Sequence, residues 1–292
     1  MSDGARAEYG LLSHASPNLG DEIQSLAARR FLPRVDRMVP REKLDADPGG
    51  TGPTRLIMAG WFLHHPRHWP PHEKIVPLLV SFHLNDRRPG RLSLRRTAAQ
   101  VLLSPRNAGW LRRHGPVGAR DRHTLELLRR AGVDAEYSGC LTLTLPPADP
   151  AARGDRVVAC GLPAALVAAL AGRTRHPPVV VDHADTSTVG AEARMARAQA
   201  LLDLYATARA VVTTRLHCAL PCLAMGTPVL FIPLLPDRTR QEPALELAHH
   251  LSPRDFIAGR GGWDPEAPPP NPDAYRALVP GLERRCREFV SA

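Results

Sequence analysis

The chain has 292 residues, 43% of them hydrophobic and 23% charged, which is the composition of a folded globular protein of one large or two ordinary domains. Its net charge of +9 rests on arginine, since only Lys43 and Lys74 of the 38 basic residues are lysine, and the arginines are scattered along the chain. Without zinc-finger spacing, an aromatic RNA-binding signature or a basic coiled-coil region, that charge points to anionic small molecules and away from nucleic acid.

No apolar stretch follows a basic segment near the N-terminus, and no run reaches the roughly twenty apolar residues that a bilayer requires. The longest apolar stretch, 157–172, is interrupted by Gly161 and Pro163. Five cysteines, an odd number, fit reduced thiols better than a disulfide framework, so a cytoplasmic location and no transmembrane segment are expected.

In chain order, a loop through Pro17 and Asn18 leads to a helix from Asp21 to Arg30, and Leu56–Ala59 and Val76–Phe82 read as strands. Between them 61–71, rich in Pro, His and Trp and carrying His64, His65 and His68, reads as a surface loop. Gln100–Ser104 reads as a strand, Ala108–Arg113 as a short helix and His123–Ala131 as a helix closed by Gly132. Pro, Asp and Gly in 146–154 mark a linker, which puts a domain boundary near residue 150 and gives domains 1–150 and 151–292.

The second half alternates strands and helices more regularly. Arg156–Cys160, Val179–Asp182, Ala210–Thr213 and Pro228–Ile232 read as strands, with helices at Pro163–Ala171, Gly190–Ala208 and Leu216–Met225, the last ended by Gly226. The long helix turns Ala193, Ala196, Leu201, Leu204 and Tyr205 to the core in this reading. A Pro-dense stretch, 261–272, precedes a final amphipathic helix from Asp273 to Val290. Alternating strands and helices predict an α/β fold of two Rossmann-like domains, facing a central cleft as in the glycosyltransferase-B arrangement, with the first as acceptor side.

Cys218 and Cys222 lie four apart on one helix beside His217, but no Cys-x-x-Cys pair accompanies them, so packing of small apolar thiols is expected and no metal or other cofactor. Asp182, His183 and Asp185 follow a buried strand and either face the cleft between the halves or simply begin a loop, while His83 ends another strand and points at the sheet's ligand edge.

Several segments together carry a resemblance: Asn18-Leu19-Gly20-Asp21 opening a helix, Val117-Gly118-Ala119-Arg120-Asp121 before another, and Val212 to Ala219 followed by Gly226-Thr227-Pro228-Val229. In order and spacing they resemble the polysaccharide pyruvyl transferase family. The resemblance implies phosphoenolpyruvate as donor substrate, a sugar or glycan hydroxyl as acceptor, and ketal formation in polysaccharide or glycoconjugate biosynthesis. It also implies Arg215 and Arg120 as clamps for carboxylate and phosphate, with Asn18, Gly20, Thr214, Leu216, Asp182 and His183 lining the substrate. His217 and Asp21 are the implied catalytic residues. A protonated His217 would give its proton to the methylene carbon or hold the leaving phosphate, and Asp21 would act as base on the acceptor. A nucleotide-sugar-dependent glycosyltransferase and a catalytically silent binding protein are the alternatives, because the fold serves all three.

Overall fold

The computed structural model describes residues 7–62, 68–87, 96–234 and 238–292. The chain divides into two compact units, Met1–Ala15 with Ala27–Leu141 and Gly281–Ala292, and Ser16–Leu26 with Thr142–Pro280. Where the linker alone suggests one crossing near residue 150, the chain crosses four times. The segment 16–26 belongs with the C-terminal half and the tail 281–292 with the N-terminal half.

The first unit is built on a six-stranded parallel sheet: β1 (Glu8–Ser13), β2 (Arg37–Pro40), β3 (Thr54–Trp61), β4 (Ile75–His83), β5 (Val117–Ala119) and β6 (Ala135–Tyr137), in the order β2-β1-β3-β4-β5-β6. Helix α1 (Gly20–Arg29) follows β1. Gln100–Ser104 is not a strand: Thr97 and Gln100 form a capping box in which the Thr97 hydroxyl accepts the Gln100 N–H at 3.1 Å and the Gln100 carbonyl oxygen accepts the Thr97 N–H at 3.0 Å. These bonds start helix α2 (Ala98–Leu102), which is followed by α3 (Pro105–Arg113) and, after β5, α4 (Arg122–Arg130). In the expected loop at 61–71, Trp61 ends β3, His68 pairs with Asp45 at 2.7 Å, and His64 and His65 lie outside the described residues. Phe62 stacks on Phe82 and Trp69 meets Trp110 edge-on, each with centroids 5.0 Å apart, at the centre of an otherwise aliphatic core.

The second unit carries a five-stranded parallel sheet of β7 (Val157–Cys160), β8 (Val179–Val181), β9 (Ala210–Thr213), β10 (Val229–Phe231) and β11 (His249–His250), in the order β11-β10-β9-β7-β8. Its helices include α5 (Ala164–Ala171), α6 (Ala191–Thr207), α7 (Leu216–Met225), α8 (Arg238–Leu247) and α9 (Pro253–Ile257). Numbered from its own first strand this sheet runs 2-1-3-4-5, the order of doubly wound α/β sheets, and the first five strands of the other sheet run likewise. The last helix, α10 (Val279–Ser291), begins later than the expected Asp273, after a single 3₁₀ turn at Ala274–Ala277. Within the first unit Arg285 on α10 donates to the Leu79 and Pro116 carbonyls, and Arg55 donates to the Phe289 carbonyl at 2.7 Å. No described helix is long and apolar enough to cross a membrane.

In helix α6 Leu201 and Tyr205 are buried as expected and Leu204 is half-buried, but Ala193 and Ala196 are exposed and Arg194, Met195, Ala198 and Leu202 complete the buried stripe. At its first turn an ion pair takes the core position: Arg194 Nε donates to Glu22 at 2.6 Å and Nη2 to the Ser16 carbonyl at 2.6 Å, tying α6 to the segment 16–26. Burial raises the Glu22 carboxyl above its usual range, against the opposing pull of Arg194. Removing one member of such a buried pair leaves the other charge stranded, at a typical loss of about 3–5 kcal/mol. Arg194→Met should therefore lower stability by that order in urea unfolding, with partial recovery in Arg194→Met/Glu22→Gln. A loss below about 1 kcal/mol, the range of an exposed pair, would mean that the pair does not hold the segment.

Candidate functional site

In a sheet of this order ligands collect at the C-terminal strand edge where the strand order reverses, here between β7 and β9. The chain is tightly turned at that point. The Thr213 hydroxyl donates to the Cys160 carbonyl at 3.0 Å, the Thr214 hydroxyl donates to the Gly161 carbonyl at 2.7 Å, and the Arg215 N–H donates to the Thr213 hydroxyl at 2.9 Å. Gly161 has φ +67°, and a methyl group on it would fall 2.5 Å from Arg215 Nε, so Arg215 lies across a backbone that only glycine leaves open. Its guanidinium forms a two-point fork with Asp182, Nε to Oδ1 and Nη2 to Oδ2, both at 2.9 Å. Burial works against the Asp182 carboxylate, yet Arg215 and the Ala184 and His183 N–H groups outweigh it and hold the carboxyl below its ordinary range. Both side chains remain more than a third exposed, so the fork orients Arg215 more than it stabilises the fold.

Arg215 is also the residue from which α7 starts, with Leu216 buried as its first member. Pro221 has no N–H for the His217 carbonyl four residues earlier, and His217 leaves helical geometry with ψ +18°, a kink in the first turn. His217 is 5% exposed. Facing it is the start of α1: the Gly20 N–H donates to the Asn18 side-chain oxygen at 3.2 Å, and Asn18 forms an antiparallel bridge with Ala184. A methyl group on Gly20 would sit 3.1 Å from each of Asn18 Oδ1, His183 Nδ1 and His217 Nδ1. An amide oxygen, two imidazole nitrogens and the first turns of two helices therefore converge on one bare Cα. Helix N-termini favour anions, and Asp21 and Glu22 in the first turn of α1 are each engaged locally: the Ser16 hydroxyl donates to Asp21 Oδ2 at 2.6 Å, and Arg194 pairs with Glu22.

Thus Asn18, Gly20, Asp182, His183, Thr214, Arg215, Leu216 and His217 all occur in the second unit around one strand edge, with Asp21 1% exposed alongside. Tyr205 is a residue that sequence reasoning placed only in the core. Its hydroxyl lies 3.0 Å from His183 Nε2 and 3.2 Å from Cys160 Sγ. Cys218 joins Cys160 and His183 rather than forming a set with Cys222 and His217 alone, and the ligand atoms of these three lie within 4.8 Å of one another.

Arg120 lies in the first unit, 1% exposed at the end of β5, with its N–H donating to the Phe82 carbonyl at 2.9 Å. Beside it Asp121 caps α4 by accepting the Thr124 N–H at 2.8 Å and also meets His83 Nδ1 at 2.6 Å, both side chains buried. This dyad at the edge of the first sheet fixes the ring of His83, and the strand-end position of His83 was its only signal in the sequence. Burial pushes the Asp121 carboxyl up, but the His83 contact, the Arg120 charge and the Thr124 N–H together hold it below its ordinary value.

Residues 108–234 match the family model of polysaccharide pyruvyl transferase. The resemblance is borne out over that segment, which contains Arg120, Asp182, His183 and Thr214 to His217 and leaves out Asn18 to Asp21. Among solved structures the chain is similar to an uncharacterized protein of Klebsiella pneumoniae, with 12% identity over 82% of this chain and 88% of that one and a TM-score of 0.46. It is also similar to the wall teichoic acid polymerase TagF, with 9% identity over 97% of this chain and 82% of that one and a TM-score of 0.43. No curated protein matches.

Gly20→Ala should disturb the polar cluster while leaving the fold intact, so anion binding at this edge should fall at least tenfold with a urea midpoint close to the wild type. Gly161→Ala, which also strains a left-handed residue, should lose both binding and stability. Equal binding by Gly20→Ala and wild type would place the ligand elsewhere. For Asp121 the folded value lies below the unfolded one, near 3.9, so the dyad stabilises above that pH and the contribution is lost as pH falls through the folded value. Asp121→Asn should accordingly flatten the acid limb of stability below about pH 4, and an unchanged slope would contradict the assignment.

Proposed function

We propose that the chain is a phosphoenolpyruvate-dependent pyruvyl transferase that places a pyruvyl ketal on a sugar or glycan, in polysaccharide or glycoconjugate biosynthesis. The observation that carries this reading is the convergence of Arg215, His217, His183 and the Asn18–Gly20 turn at the strand-order reversal of the second sheet. The family match supports it by naming a transferase of polysaccharides.

The donor carries a carboxylate and a phosphate, and the site supplies a planar guanidinium fork and two helix N-termini suited to both. Asp182 holds the Nε–Nη2 edge of the guanidinium, and the Nη1 side is the part proposed to meet the donor carboxylate. A proton delivered to the methylene carbon by His217 makes the methyl group and leaves positive charge on the adjacent carbon. One sugar hydroxyl adds there, a second displaces the phosphate, and the products are the ketal and inorganic phosphate. Asp21 is the carboxylate proposed to take the hydroxyl proton, with the Ser16 bond fixing its orientation.

Calorimetric titration of phosphoenolpyruvate into the protein and into Arg215→Ala, with a nucleotide sugar as comparison, tests the donor. Saturable binding to wild type that weakens at least tenfold in the variant is expected. Binding of the nucleotide sugar alone would replace this reading by a glycosyltransferase. Once turnover is measured as phosphate release, Asp21→Asn should lower kcat by about a hundredfold or more, in the range of general-base losses, with little change in KM for the donor. A matching loss in donor affinity would instead make Asp21 a positioning residue.

A further inference from the structure

The second unit holds a cluster whose two thiols the proposed transfer does not use. Cys160 ends β7, His183 follows β8 and Cys218 lies in the first turn of α7, so three separate segments bring two thiols and an imidazole within 4.8 Å of one another. None of the three is more than 1% exposed, and neither is Tyr205, whose hydroxyl lies between His183 Nε2 and Cys160 Sγ. Ordinary packing accounts for buried thiols taken singly. It does not account for three soft donor atoms gathered from three segments and flanked by the Tyr205 hydroxyl.

Thiolate and imidazole donors select zinc-class soft divalent cations and disfavour calcium or magnesium, which take oxygen. Zn–S and Zn–N bonds near 2.3 and 2.0 Å put ligand atoms of a tetrahedral site roughly 3.5–3.8 Å apart, so the observed spacing closes with small side-chain rotations. Charge also balances. One M²⁺ with two thiolates and a neutral imidazole is neutral, so no net charge is placed in the interior.

We propose that Cys160, Cys218 and His183 form a binding site for a zinc-class cation, with the Tyr205 hydroxyl beside the fourth position. Such an ion ties together the ends of β7 and β8 and the start of α7. It also bonds His183 through Nε2, fixing the ring proton on Nδ1, the nitrogen beside Gly20 and His217. The cation site shares His183 with the donor site proposed above, through the opposite ring nitrogen, but its test does not depend on which donor binds there.

The test is titration of the reduced full-length protein with cobalt chloride in chelator-free buffer, followed by zinc chloride. Expected are one cobalt ion per chain, a near-ultraviolet thiolate-to-cobalt band with the visible bands of a tetrahedral site, release of two protons per ion, and loss of the bands when zinc displaces cobalt. Cys160→Ser and Cys218→Ser should each lose the thiolate band, whereas Cys140→Ser, in the first unit, should keep it. Absence of cobalt uptake by wild type, a spectrum without a thiolate band, or a band that survives in both Cys160→Ser and Cys218→Ser would overturn the proposal. The wild-type spectrum decides the matter even if those variants fail to fold.

Discussion

The second unit's site depends on a close approach of backbone and side chain at one point, where Arg215 crosses Gly161. Parallel strands β7 and β9 end side by side there, and the two threonine hydroxyls of 213 and 214 are spent on the carbonyls of Cys160 and Gly161. A side chain at 161 would lift the guanidinium from its seat. With the glycine in place, Arg215 meets Asp182 through its Nε–Nη2 edge and starts the helix that carries His217 and Cys218. The kink allowed by Pro221 turns His217 toward Gly20 without ending that helix.

A second constraint acts from further away. The segment 16–26 has to be brought to this strand edge, and the buried Arg194–Glu22 pair, the Arg194 bond to the Ser16 carbonyl and the Asn18–Ala184 bridge do so. Charges that would otherwise sit unfavourably in a nearly anhydrous interior thus become the device that aligns two helix N-termini. N–H groups, imidazoles and a guanidinium gather there, while both carboxylates in the first turn of α1 are already engaged.

Much of the second sheet was legible because its strands are short β-branched runs bounded by turn residues, such as Val179–Val181 and Val211–Thr213. The first sheet was less so. β1 mixes Glu, Tyr, Gly and Ser with two leucines, β5 and β6 are three residues each, and tertiary pairing rather than local pattern makes them strands. At 100–104 the apolar run hid the Thr97/Gln100 capping box that decides for helix. The first turns of α6 were misread, though Leu201 and Tyr205 were not, because a hydropathy pattern does not count an arginine as core and Arg194 is core by virtue of Glu22. The candidate site was legible in its motif residues, which lie at strand ends. The contributions of Tyr205, Cys160 and the His83–Asp121 dyad come from contacts between residues far apart in sequence, and no local signal marks them.

Whether the Asn18–Gly20 turn, His183 and His217 share one ligand can be read from long-range proton–nitrogen NMR spectra of histidine-labelled protein recorded during titration with phosphoenolpyruvate. Saturable shifts of the His183 and His217 imidazoles at one common affinity are expected, with exposed His176 unmoved. Unperturbed His183 and His217 resonances at saturating donor would place the donor elsewhere.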